Sequence, residues 1–137
     1  MDDDRFVHAF EACTLPNEMF HHLEHIRLAW IYLRSMDFDA ACERLSAGIL
    51  RFATHHGVLG KYHATITIAW MCLVRNALAT NSRAEGFDRF LNAHPELANP
   101  QALERFYSPE ALASEEAREQ WTLPDRQPIP GCSTSAT

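Results

Sequence analysis

The sequence predicts an all-α protein, an antiparallel four-helix bundle with short C-terminal capping helices and an extended Pro-rich tail. Three observations lead there. Apolar residues recur at spacings of three and four along several segments, the period of amphipathic helices. Helix-start and helix-stop residues bound those segments. The 137-residue chain is 47% hydrophobic with only five glycines and seven prolines, which excludes collagen-like and disordered classes. A chain of this length forms one core that buries about two-thirds of the surface it would expose unfolded. Residues 1–130 are accordingly read as a single helical domain and 131–137 as a disordered C-terminal tail.

The first predicted helix covers 17–35 and puts Met19, Leu23, Ile26, Trp30 and Leu33 on one stripe. Asn17, after Pro16, is its expected cap, because an Asn side chain accepts a bond from an orphan N–H of the first turn. The second covers 38–56, with Ala41, Leu45, Gly48, Ile49 and Phe52 on one stripe and Gly57 as its left-handed terminator. A third runs over 60–79, where His63, Ile66, Thr67, Trp70, Val74 and Ala77 share a face. Its 65–68 run favours strand weakly, but length and periodicity decide for helix. The fourth covers 84–93 with Phe87, Phe90 and Leu91, and Pro95 ends it. Pro100 and Pro109 then open two brief helices that cap the bundle, and Pro124, Pro128 and Pro130 forbid regular structure beyond Leu123.

Twelve Lys and Arg against 18 Asp and Glu give a formal charge of −6, so the cationic footprint of a nucleic-acid binder is missing. Cys13, Cys42, Cys72 and Cys132 contain no C-x-x-C pair, which excludes a zinc knuckle and a thioredoxin-like motif and leaves structural thiols. The start, Met1 to Arg5, is acidic where a secretory signal is basic. The most apolar stretch, 66–74, falls short of the roughly 20 residues that span a bilayer. A cytoplasmic location without nucleic-acid or membrane partners is expected. Leu28 and Ile31, read as outward-facing, leave a homodimer open.

Eight histidines are the unusual feature. On a helix each residue turns by about 100°, so Glu18, His22 and His25 fall within about 60° of one another and form a column that continues into Ala29 and Tyr32. His63 shares the inward face of its helix with Thr67 and Trp70. In an up-down-up-down bundle the start of the first helix, the end of the second, the start of the third and the end of the fourth share a pole. His21, His22, His25, His55, His56, His63 and His94 occupy those ends, and only His8 lies elsewhere. Clustered imidazoles with one carboxylate suit Zn, Cu, Fe or Ni rather than Mg or Ca. The predicted ligands are His22, His25 and His63, with Glu18 as a fourth ligand or a tautomer-fixing acceptor, and then His56. The structural alternative is concrete. His55, His56 and His94 each suit the negative end of a helix dipole, and His21 points to solvent. Thr67 suits a bond to the carbonyl one turn back, and Trp30 and Trp70 suit a core.

The run from Phe20 to Trp30 reads F-x-H-x-x-H-[LI]-R-x-A-W, and Lys61, Tyr62, His63, Thr65 and Thr67 give K-Y-H-x-T-x-T. With a third set at Tyr107, Ser108, Ala117, Arg118, Trp121, Pro124, Asp125, Pro128, Ile129 and Pro130, the chain resembles, over about 18–130, a family of small helical bacterial proteins. The resemblance singles out His22, His25 and His63 rather than His21 and implies no particular activity. That family's pattern carries Glu after the third His, where this chain has Ala64, so the role of that carboxylate is vacant here.

Two classes of function compete. One is a metal-dependent enzyme acting on a small organic molecule, an oxidoreductase or a lyase or hydrolase, with Glu18, Tyr32 and Tyr62 assisting proton movement. The other is noncatalytic. Helices enclose an apolar pocket in which imidazoles orient a small ligand, or the imidazoles form a pH-responsive interaction module that needs no metal.

Overall fold

The computed structural model describes residues 2–80 and 86–130, and over these residues the protein is helical without a strand. The expected tail, with Cys132, and positions 84–85 of the fourth predicted helix lie outside the described residues. By its internal packing the chain divides into two compact units, Met1–Tyr62 and His63–Thr137.

The first unit opens with a helix to which the sequence reading assigned no element, α1 (Asp3–Glu11). The Asp2 carboxylate accepts the Arg5 N–H at 2.8 Å, Asp3 and Asp4 face the positive end of the dipole, and Phe6 and Phe10, one turn apart, are buried. A 3-10 turn at Asn17–Met19 follows, then α2 (His22–Ser35) and α3 (Phe38–His55). The Asp37 side chain caps α3 by accepting the Ala40 N–H at 2.8 Å. Gly57, at φ 69°, follows the last turn in the left-handed conformation expected of it.

Helices α1 and α2 both pack on α3. The rings of Phe10, Phe20 and Phe52 meet with centroids 5.0 to 5.7 Å apart. Phe10 lies directly on Gly48, where an added Cβ would come within 2.6 Å of its ring edge. Polar clamps fix α1 in place. Arg27 pairs with Asp3 at 2.8 Å and lies 4.4 Å over the Phe6 ring. The Tyr32 hydroxyl donates to Glu11 at 2.6 Å, and Arg44 donates to the same carboxylate at 2.6 and 2.9 Å.

Two expectations for α2 need correction. Met19 and Leu23, assigned to the buried stripe, are 51% and 42% exposed, whereas Leu28, assigned to the outside, is fully buried. Phe20 is extended, at φ −106° and ψ 93°, so the helix cannot run through from Asn17 and starts at His22 instead. Helix α1, once present, covers the side of α2 that bears Arg27 and Tyr32, and a wheel drawn without it leaves that side facing water.

The second unit contains α4 (Ala64–Thr80), α5 (Phe87–Ala93), 3-10 turns at Pro95–Ala98 and Pro100–Arg105, and the short helices α6 (Pro109–Ala113) and α7 (Glu115–Glu119). Helix α4 packs on α7. The Thr65 hydroxyl donates to the Gln120 carbonyl at 2.9 Å and accepts the Thr122 N–H at 3.1 Å, while the Tyr107 hydroxyl donates to the Thr122 carbonyl at 2.7 Å. Ser108 and Ser114 cap α6 and α7 through bonds from Ala111 N–H and Ala117 N–H. The Pro-rich stretch after α7 is pinned by the Arg126 N–H to the Phe106 carbonyl at 2.9 Å, and Ile129 is buried. Cys13, Cys42 and Cys72 are buried and unbridged. No helix among the described residues is long and apolar enough to cross a membrane.

Candidate functional site

In the first unit, the shift of the helix start to His22 breaks the predicted column. The Glu24 carboxylate accepts the His21 N–H at 2.9 Å, which holds the first turn of α2 in place. Glu18 sits on the preceding 3-10 turn and is exposed, so it does not continue the α2 face below His22. Its charge acts on Lys61 instead, partly offsetting the burial that lowers the Lys61 pKa. That ammonium donates to Asn17 Oδ1 at 2.6 Å and to the Phe20 carbonyl at 3.0 Å.

His22 and His25 do interact. Burial, with a smaller repulsion from His22, pushes the His25 pKa down to about 3, so its ring is neutral across the physiological range. His25 Nε2 is shut off from solvent and meets no hydrogen-bond partner among the described residues. His56 shows the same feature at its own Nε2 and packs its ring 4.4 Å from Phe52 and 5.0 Å from His55. Tyr32, a candidate proton carrier, gives its hydroxyl to Glu11, and burial and that carboxylate raise its pKa well above the ordinary phenol range. Glu11 is itself held below the usual carboxylate range, first by Arg44. The phenol therefore acts as a fixed donor. Tyr62 is half-buried just after the 3-10 turn at Leu59–Lys61.

His63, in the second unit, has both ring nitrogens engaged. Nδ1 accepts the Ile66 N–H at 3.1 Å, which caps α4, and Nε2 lies 2.7 Å from the Leu112 carbonyl, to which it donates. The ring is thus the neutral Nε2–H tautomer, and burial lowers its pKa. A metal would have to displace one of these bonds. The Thr67 hydroxyl donates to the His63 carbonyl at 2.8 Å, the bond one turn back that its position suggested. Among the described residues, no group of three or more His, Cys, Asp and Glu side chains is placed to hold a metal ion.

The second unit also holds a cavity of about 410 Å³ between α4 and the 3-10 turns, within the size range of small-molecule sites. Trp70, Ala77, Leu97 and Phe106 line it with buried apolar surface. Asn76, Glu96, Gln101 and Arg105 supply polar groups. His94, which ends α5, also lines it; its Nε2 is buried without a hydrogen-bond partner among the described residues, and its Nδ1 is 3.9 Å from a Glu96 oxygen. The sequence reading took Trp70 for core, His94 for a helix end and the Pro100 segment for a cap, and so missed that they share one cavity. A signal was present. His94-Pro95 and Asn99-Pro100 interrupt the helical pattern twice within seven residues, and consecutive 3-10 turns cannot offer α4 a continuous apolar stripe.

Compared with known protein families, curated proteins and solved structures, the chain matches none.

Proposed function

We propose that the protein binds a small organic molecule in the cavity of its second unit and that its imidazoles serve folding and ligand orientation rather than a three-histidine metal centre. The observation that carries this reading is the cavity itself, a few hundred cubic ångströms of apolar wall facing a small number of polar groups. The expected cytoplasmic location gives such a module access to soluble metabolites. Saturation-transfer NMR with 3-phenylpropanamide tests the reading. Wild-type protein is expected to transfer magnetisation to the probe, and Ala102→Phe, which puts a ring into the cavity, is expected to abolish the transfer. Equal transfer from both proteins would contradict it.

A metal-centred reading is favoured by one observation, the unmatched buried Nε2 atoms of His25 and His56. Under it, these rings and His22 would contribute ligands to Zn, Cu, Fe or Ni, and Glu18 and Tyr62 would be left to assist a reaction. The antiparallel four-helix bundle predicted from the sequence belongs to this second reading. Elemental analysis of protein purified without a His tag decides it. Stoichiometric metal that is lost in His25→Ala supports this second reading, and metal-free, folded protein excludes it.

A further inference from the structure

Resting on the cavity reading, we infer that the ligand is an organic anion, a compact carboxylate with an apolar body. Arg105 lines the cavity, and its side chain makes no ion pair or hydrogen bond with any described residue; its guanidinium lies 5.5 Å from the centroid of the Phe106 ring, itself part of the cavity wall. No described carboxylate pairs with this arginine, so its guanidinium at the edge of the apolar cavity is available to an anion. A guanidinium resting near an aromatic face keeps its planar fork of donors free, and that fork matches the two oxygens of a carboxylate.

One acidic residue also lines the cavity. Glu96 is the one acidic residue among the described lining residues, it is exposed, and its carboxylate lies 3.9 Å from His94 Nδ1. Trp70, Leu97 and Phe106 supply the apolar wall for the ligand's body.

Isothermal titration calorimetry of the full chain with 3-phenylpropanoate, 3-phenylpropanamide and 3-phenylpropylamine tests the inference. The acid is expected to bind about tenfold more tightly than the amide, and the amine more weakly than either. Arg105→Met, at an exposed position, is expected to narrow the acid-to-amide preference to about twofold or less, and Arg105→Lys to keep part of it because charge survives without the fork. An amide that binds wild-type protein as tightly as the acid would overturn the anion assignment and leave the cavity reading standing. So would an acid preference that Arg105→Met does not reduce. Binding of none of the three probes would overturn the cavity reading and this inference with it.

Discussion

At the scale of single residues, His25 and His63 show how burial decides what an imidazole does. Both rings are neutral when folded because burial opposes their charged form, and His25 is the stronger case, with its pKa near 3. The unfolded chain titrates such a ring near its ordinary value of about 6.5. Between these two values the unfolded state binds more protons, so the stability contributed by neutral His25 is complete above about pH 6.5 and is lost as pH falls toward 3. We expect urea unfolding to show stability falling by on the order of 1 kcal/mol per pH unit over that window for this residue. His25→Leu should flatten the slope relative to wild type, and an unchanged slope would show that His25 is not the titrating group. His63 makes a separate prediction through its cap. His63→Ala removes the acceptor for Ile66 N–H and should cost about 1 to 2 kcal/mol, and His63→Asn, a good capping residue, should recover part of it. Thermal unfolding of the two variants measures this, and equal losses would refute the capping role.

At the scale of elements, the long helices were the most legible part of the chain. Helix α3 spans Phe38–His55 against a reading of 38–56, because Asp37, Gly57 and an uninterrupted stripe all specify the same segment. Helix α2 was legible in its body but not at its start, since the Phe20 ring joins the Phe10 and Phe52 rings and its backbone is extended there. Helix α1 was missed because its apolar face is only Phe6 and Phe10, too short a stripe to stand out beside acidic neighbours. The close seat of Phe10 on Gly48 gives a direct test. Gly→Ala within a helix ordinarily stabilises by about 1 kcal/mol, but here the new methyl would collide with a packed ring, and overpacking costs about 1 to 3 kcal/mol. Gly48→Ala is therefore expected to lower the unfolding midpoint, and Phe10→Leu in the same chain to restore part of it. A Gly48→Ala midpoint at or above wild type would show that α1 does not sit as described. In the second unit, Thr65→Val would leave the Gln120 carbonyl and Thr122 N–H without their side-chain partner and should destabilise by about 1 to 3 kcal/mol in urea unfolding.

At the scale of the whole molecule, the sequence pointed correctly to an all-helical chain but drew attention to the most conspicuous residue type. Histidine positions can be read off a helical wheel, whereas a cavity formed by α4 and two 3-10 turns depends on backbone geometry that no periodicity encodes. His94 was noticed and assigned to a helix end, which it does terminate, but its place on the cavity wall was not legible. Arg105 gave no signal, since an arginine unpaired among the described residues differs from a paired one only in three dimensions. The net charge of −6 does not forbid an anionic ligand, because a cation at the cavity edge acts at contact distance while charges more than a Debye length away are screened. The most direct test of the central claim is a 15N-resolved NMR titration of the full chain with 3-phenylpropanoate. The account predicts saturable shifts centred on the Trp70 indole and the backbone amides of Ala77, Leu97, Ala102 and Arg105. Shifts centred on residues 18–63, or none at millimolar probe, would contradict it.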